Sequence, residues 1–514
     1  MKSDNGAAKD SLAGNGAAGS VPAGNGAAFY IDDITWNDLS MEHVYGKINT
    51  ARSSVGEEYL KRVLRTSLCD PEKLKQRSLR AEQVSADPAE KKQLQKIFRD
   101  LGKTKKLSLY DYIFRFHEIK PSGNAVHILL SLLLIAAIIL IFVRPVIGII
   151  ALVLLFVINI STYFRYKASI EGYFMCFKYI VKMLQAAARI CRIPGMRTGA
   201  FAPLTQELEA DTQELAGLKR GSWLLTNSVS GSLVDVIMDY VRMLFHVDIM
   251  RFNSMRKLAV QKEETIDHLF CTLGEIETDL CISDFRESLP AWCRPEFAGN
   301  LRLEIAGMYH PLTPTIVKND LKTCRSILLT GSNASGKSTF LKQVAINQIL
   351  AQSLDTCLAD RFVTGFYKVM SSMALTDNIL GNESYFIVEI KSLKRILDEI
   401  RDGQGELPVM CFIDEVLRGT NTKERIAASS QILKSMAGRN VLCFAATHDI
   451  ELTQLLGEDM ENYHFEEFVE GNDVIFDYLL KPGPARTRNA IRLMQAYGFD
   501  PSITDAAERL ADQI

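Results

Sequence analysis

Apolar positions along this chain change their spacing several times, and each change predicts a different element. Between Phe29 and Leu101 they recur at helical intervals: Leu60, Val63, Leu64 and Leu68 share one face, Pro71 opens a new segment, and Leu74, Leu79, Val84 and Leu94 continue the pattern. From Ala125 to Ile158 the period disappears, because almost every residue is apolar and only Arg144-Pro145 interrupts the run. Each side of that break reaches roughly 18 residues, about 27 Å as helix, which is close to the hydrocarbon thickness of a bilayer. A membrane hairpin accounts for that length better than a buried pair of core helices. Helical spacing returns from Ala168 to about Ser288, with Val234, Ile237, Met238, Val241, Leu244 and Phe245 on one face of a long amphipathic segment. Further on, the short apolar runs from Ile327, from Val409 to Ile413 and from Asn440 to Ala446 predict strands, and Phe340 to Leu350 predicts a helix.

Flanking charge orients the hairpin. Arg115 and Lys120 precede it and Arg165 and Lys167 follow it, whereas the turn carries only Arg144, so both ends should face the cytoplasm. The lipid partner would be met through residues 125–164, and the protein would sit in the cytoplasmic membrane. A re-entrant pair that never crosses fully would leave the same sidedness.

The predicted strands end in chemistry. After the run from Ile327 comes Gly331, then four residues, then Gly336-Lys337-Ser338 at the start of a helix, the strand, loop and helix of a P-loop. Glycines let backbone N–H groups curl around a phosphate, Lys337 supplies charge to the β- and γ-phosphates, and the Ser338 hydroxyl suits Mg²⁺. The second strand ends in Asp414-Glu415, a Mg²⁺-binding carboxylate beside a candidate water-activating base, the arrangement of a Walker B. The third ends in Thr447-His448, where a polar group could sense the γ-phosphate.

Composition narrows the rest. At 514 residues and 47% hydrophobic content the chain can bury several cores, and a net charge of −2 argues against a strongly basic nucleic-acid binder while leaving room for a local patch. Ten cysteines form no CxxC pair, and Cys271, Cys281 and Cys293 lack zinc spacing, so all read as reduced cytosolic thiols. Residues Met1 to Ala28 repeat Asn-Gly-Ala-Ala at Asn5, Asn15 and Asn25, the composition of a disordered leader without the apolar core of a secretory signal.

Four of these segments, in order, resemble the ATPase domain of the MutS family of DNA mismatch repair proteins. Gly331-Ser332-Asn333-Ala334-Ser335-Gly336-Lys337-Ser338-Thr339 is similar to GPNMGGKST, departing at Ser332, Ala334 and Ser335. Ser384-Tyr385-Phe386-Ile387-Val388-Glu389 resembles STFMVEM, Asp414 to Thr422 resembles DEIGRGTST, and Ala446 to Thr453 resembles ATHYHELT. An ABC transporter ATPase would need an LSGGQ-type signature before the Walker B, and none is present. Upstream, His310-Pro311-Leu312 and Val317 to Leu321 resemble the family's lead into the P-loop, and Ile34 to Leu101, with its Cys69-Asp70-Pro71-Glu72 turn, resembles the start of its core domain.

The resemblance implies a Mg²⁺-dependent ATPase in which Gly331 to Thr339 bind ATP, Ser338 and Asp414 hold the metal, and Glu415, His448 and Lys337 serve catalysis. It implies a homodimer in which Ser384 reaches the nucleotide of the other subunit, with Asn421 and Thr422 at the same seam, and DNA, mismatched or otherwise structured, as the cargo in a repair-type role. The aromatic residue that stacks adenine in many members falls near Ile316, which is not aromatic. The family's mismatch-reading domain has no room ahead of the hairpin, and Phe116-His117-Glu118, which mimics its wedge, stands against a membrane arm and reads as chance. Arg189, Arg192, Arg197, Lys219, Arg220 and the acidic run Glu207 to Asp211 read as a mixed-sign solvated face, with a phosphate-binding tip as the alternative.

The expected fold is α plus α/β and multidomain: a leader (1–28), a MutS-like helical core (29–120), an inserted transmembrane hairpin (121–167), helical core and levers (168–298), and a C-terminal P-loop domain with a mostly parallel sheet (299–514). An ATP-driven switch acting on a membrane or protein partner without DNA is the alternative. Excising Ala125 to Phe164 behind a short polar linker should move the protein from the membrane fraction to the soluble fraction. Carbonate-resistant membrane association of that deletion would show another anchor.

Overall fold

The computed structural model describes residues 29–104, 123–219, 240–299, 301–332, 335–373, 385–403, 407–417, 420–438, 440–470, 473–485, 491, 494–495 and 498–511. It begins with strand β1 (Phe29–Tyr30) and helices α1 (Asp33–Asp38), α2 (Met41–Ile48) and α3 (Ser54–Arg65). The helical face predicted through Leu68 stops three residues early. Thr66–Ser67 (β2) pairs antiparallel with β1, which pulls the chain out of the helix before Leu68.

Two Asp-Pro steps start the next helices, α4 (Pro71–Ala86) and α5 (Pro88–Leu101). Asp70 Oδ1 accepts the amides of Glu72 and Lys73 at 3.0 and 3.2 Å, and Asp87 Oδ1 accepts those of Ala89 and Glu90 at 2.9 and 3.0 Å. Proline at the first helical position loses no hydrogen bond, because that N–H has no intrahelical partner anyway.

Helices α6 (Ala125–Val143) and α7 (Pro145–Ile190) form the predicted antiparallel pair. Gly148 allows the close approach at its top, since a Cβ there would lie 2.5 Å from the backbone nitrogen of Ile141. Leu134 and Ala137 are buried along α6, while Phe142 is 87% exposed and Val146 71% exposed. Ala125–Val143 and Pro145–Ala168 are long and apolar enough to cross a membrane. The apolar span of the second arm reaches Ala168, close to the expected bound of 167, and the helix itself goes on beyond it. With no proline between Pro145 and Pro194, α7 continues unbroken for 46 residues. Its far half turns amphipathic and buries Phe177, Ile180, Leu184 and Ala187 against Leu94 and Phe98 of α5.

The same core takes in α8 (Ala202–Glu214), α9 (Val247–Gln261) and α10 (Glu263–Ser288). Of the predicted long amphipathic face, Val234, Ile237 and Met238 lie outside the described residues, and His246, at φ 52°, separates Phe245 from α9. Of the charges read as a solvated face, Arg189, Arg192 and Arg197 are exposed as expected, and Asp211 is the exception. Asp211 is buried and pairs with His268 at 2.8 Å, Arg189 meets Asp100 at 2.8 Å, and Arg197 meets Glu209 at 2.5 Å.

Two sheets follow. One has the order β3 (Glu296–Phe297), β7 (Arg361–Thr364), β4 (Leu303–Met308), β5 (Asn319–Thr323) and is mostly antiparallel. The other runs β14 (Lys481–Pro482), β11 (Glu461–His464), β6 (Ile327–Thr330), β10 (Val441–Ala446), β9 (Val409–Asp414), β8 (Lys368–Ser372). Every neighbouring pair in it is parallel except β14 with β11. A helix-rich chain with mixed sheets agrees with the expected α plus α/β class. The amino-terminal helices are not a separate body, because Trp36, Leu60 and Leu64 share one core with Phe412 and Phe444 of the sheet.

A buried carboxyl joins α10 to the start of α3. Glu277, 1% exposed, accepts the amides of Arg52 and Ser53 at 2.6 and 3.1 Å and the Ser53 hydroxyl. Burial outweighs these bonds and pushes its pKa up to about 7. Between pH 4.5 and 7 the native state therefore holds more proton than the unfolded chain, so this group's contribution to stability falls as pH rises. Asp279, pushed up to about 6, adds a slope of the same sign. Glu277→Gln keeps the acceptor and removes the titration. Across that window its stability relative to the native chain should rise by on the order of 3 kcal/mol, read from urea melts at each pH.

Candidate nucleotide site

The first feature of the site is a loop thrown off the middle of the parallel sheet. β6 lies between β10 and β11, every residue of it buried, so the chain leaves the sheet at its carboxyl edge with neighbours on both sides. Gly331 turns there at φ 144°, and a Cβ would lie 2.6 Å from the carbonyl oxygen of Phe465. Gly336, at φ 107°, then precedes α11 (Lys337–Leu354). Asn333 and Ala334 lie outside the described residues.

Lys337 is 5% exposed, and its Nζ donates to the carbonyls of Gly331 and Ser332 at 2.9 and 2.7 Å. The ammonium is thus held across the mouth of its own loop. The Ser335 hydroxyl is buried and has no hydrogen-bond partner among the described residues. Loop, lysine and helix start line a cavity of about 450 Å³, which Ser338, Thr339 and Glu415 also border.

The acidic pair comes from the end of β9, separated from β6 by β10. β9 and β10 run in register from Val409 with Val441 to Asp414 with Ala446, and the Glu415 amide donates to the Ala446 carbonyl at 2.9 Å. Glu415 Oε1 lies 3.0 Å from His448 Nε2, so the two side chains predicted from separate strands meet. Thr447 is tied to β6 through its amide and the Leu329 carbonyl at 2.9 Å. Asp414 Oδ1 is shut off from solvent without a hydrogen-bond partner among the described residues. An acceptor left bare at a strand end beside a serine-bearing loop suits a hard, oxygen-seeking cation such as Mg²⁺.

After Asp414 the backbone is strained. Glu415 and Leu417 take φ 57° and 59°, the left-handed region that disfavours side chains by about 1–2 kcal/mol each. Asn421 caps the following helix, α13 (Thr422–Met436), by accepting the Lys423 amide at 3.1 Å. Arg425 on that helix holds Asp449 through two hydrogen bonds of 2.9 and 2.6 Å, bracing the loop that carries His448. Ser384 lies outside the described residues, and helix α12 (Tyr385–Asp402) begins at the next one.

Several residues at the cavity were not singled out from the sequence. Tyr478 lines it and lies close over Gly336, with ring Cδ1 3.1 Å from the position of a Cβ there, whereas Ile316 is outside the lining and 47% exposed. Asn319 fixes Tyr478 by donating to its carbonyl at 3.1 Å while accepting the Leu480 amide at 2.8 Å. Glu467 accepts the Ser332 hydroxyl at 2.7 Å. Only fold-level pairing across long sequence separations brings these groups in. His310, read as part of the lead-in alone, also lines the cavity. Its Nδ1 accepts the Leu312 amide at 3.1 Å, and burial with Lys342 and Lys47 nearby pushes its pKa down to about 4, so it stands neutral with its proton on Nε2.

Comparison with known proteins agrees with this geometry. The family description MutS domain V matches residues 327–514. The DNA mismatch repair protein MutS of Natronomonas pharaonis is 32% identical over 273 residues, 51% of this chain and 31% of that protein. The MutS of Thermus thermophilus is 26% identical over 264 residues, 50% of this chain and 32% of its own length, and that of Pseudothermotoga lettingae 30% over 234 residues, 43% and 28%. The chain therefore spans about a third of the length of these curated relatives. The match makes residues 327–514, which carry the glycine loop and the acidic strand end, the MutS-family part of this chain.

Proposed function

We propose that this protein is a membrane-anchored MutS-type ATPase, which binds and hydrolyses ATP with Mg²⁺ and couples that cycle to the opening and closing of a homodimer on DNA. The observation that carries this reading is the convergence of Lys337, Glu415 and the loop of buried Ser335 on one cavity, with His448 held against Glu415. Backbone amides from Gly331 to Thr339 would cradle the phosphates. Lys337 would trade the Gly331 and Ser332 carbonyls for β- and γ-phosphate oxygens. Ser338 and Asp414 would hold Mg²⁺, which when bound neutralises charge developing on the phosphates. Glu415 would take the proton from the attacking water, and His448 would register the γ-phosphate through the same hydrogen bond that steadies the base. Tyr478 offers the aromatic face for adenine that Ile316 cannot.

The cargo reading rests on the relatives, whose names describe DNA mismatch repair. The hairpin supports an anchor, with the ATPase on the cytoplasmic side. It also favours a second reading, a switch that moves a membrane or protein partner without DNA. Titrating labelled matched and mismatched duplexes with the detergent-solubilised protein at several salt concentrations separates the two. Binding that weakens steeply with salt and prefers the mismatch supports the first reading, and no binding at low salt supports the second.

At the site itself, Lys337→Ala should weaken ATP binding about 10- to 100-fold through loss of a charged hydrogen bond. Glu415→Gln should bind ATP normally and turn over at least about 100-fold more slowly. Near-native turnover of Glu415→Gln would remove the base assignment.

If Ser384 completes the partner's site, Ser384→Ala and Lys337→Ala should each be inactive alone. Mixing them should restore part of the hydrolysis, because one site of the mixed dimer keeps both groups. Two inactive variants that exchange subunits yet never complement, or a fully active Ser384→Ala whose only defect is the roughly 1 kcal/mol of a lost helix cap, would contradict the shared site.

A further inference from the structure

The left-handed turn after β9 must be held by its surroundings, because neither Glu415 nor Leu417 is a glycine. Three elements hold it. From β10, the Ala446 carbonyl accepts the Glu415 amide at 2.9 Å. From α13, the Ser429 hydroxyl donates to the Val416 carbonyl at 3.2 Å. From α12, the Glu389 carboxylate accepts the Leu417 amide.

The third bond differs in kind. Its acceptor is a carboxyl group only 3% exposed, so the bond is little weakened by water. Burying a carboxylate beside an apolar core is unfavourable unless its hydrogen bonds return the lost solvation. The carboxylate lies beside the apolar core that includes Leu393, Ile396, Ile413 and Leu417, and there it accepts the Leu417 amide.

We propose that Glu389 is the positioning residue for the base: its carboxylate fixes the turn at Leu417 so that Glu415 stands in the nucleotide cavity within reach of His448. This rests on the reading of Glu415 as the group that activates water. It also gives α12 a second task. The helix begins directly after Ser384, so a displacement of its first turns by the partner's nucleotide would be passed through Glu389 to the base of the same chain.

The test uses the full-length protein in detergent, comparing Glu389→Ala, Glu389→Gln and Glu415→Gln for kcat, KM, ATP affinity and melting temperature. Misplacing a base by about 1 Å is enough to slow turnover about 100-fold, so Glu389→Ala should lose that much in kcat while KM and ATP affinity stay within about twofold. Glu389→Gln keeps an oxygen for the Leu417 amide and should recover to within about tenfold of the native rate. Native kcat in Glu389→Ala overturns the proposal. So does a loss of ATP affinity in step with kcat and melting temperature in both Glu389 variants, the pattern of a packing residue. Glu415→Gln separates the levels: if it hydrolyses ATP at the native rate, the base reading fails and the positioning role with it, whereas a dead Glu415→Gln beside an active Glu389→Ala removes the positioning role alone.

Discussion

Everything in the carboxyl-terminal half depends on a helix that has no solvent face. α11 leaves the glycine loop and is buried on almost all sides, between the parallel sheet and helices α3 and α4. A helix in that position would normally be wholly apolar. Instead it carries Gln343, Asn347, Gln348 and Gln352, and each side-chain amide meets a backbone group of the surrounding chain. Gln343 donates to the Met308 carbonyl, Asn347 accepts the Leu358 amide at 2.6 Å, Gln348 donates to the Gly365 carbonyl at 3.0 Å, and Gln352 both donates to the Tyr367 carbonyl and accepts its amide, at 3.0 and 2.7 Å. This stripe satisfies the strand connections that α11 covers, and it fixes the helix in register with both sheets. The position of Lys337 and Ser338 follows from that register.

The same fixation reaches the amino-terminal helices. Asp38 of α1 accepts the Ser371 hydroxyl at 2.7 Å and the Met373 amide at 2.9 Å, at the end of β8 beside the acidic strand β9. Arg286 near the end of α10 donates to Thr356 and to the Asp355 carbonyl, both at 2.9 Å, just beyond the last turn of α11. Since α10 also packs with α7, whose first half is the second arm of the hairpin, one continuous set of packed helices leads from the apolar pair to the far end of the loop helix. A rigid path of this kind transmits displacement only if its elements move as bodies, and α7 is an unbroken helix through its apolar and its amphipathic half.

The strands β6, β9 and β10 were legible in the sequence because a strand buried on both faces is a short unbroken apolar run, and the glycine loop because its spacing has few uses other than phosphate. The pair of apolar helices was legible for a different reason, a long apolar run broken only at Arg144-Pro145. What stayed hidden was set by contacts distant in sequence. Nothing local marks Tyr478 as the ring over Gly336, or Glu389 as the anchor of a turn on another strand. The full length of α7 was not legible because hydropathy marks only where the apolar run stops, while a helix stops where its backbone is interrupted. Asp211 looked solvated because composition cannot see His268, 57 residues on, on the helix packed beside it.

The central claim is that Asp414 and the glycine loop form a Mg²⁺-nucleotide site. Calorimetric titration with ATP, with and without Mg²⁺, on the native protein and Asp414→Asn tests it most directly. The account predicts one ATP per chain, bound more tightly with Mg²⁺ by the native protein and without that gain by Asp414→Asn. Equal affinity with and without the metal in the native protein, or an undiminished Mg²⁺ gain in Asp414→Asn, would contradict it.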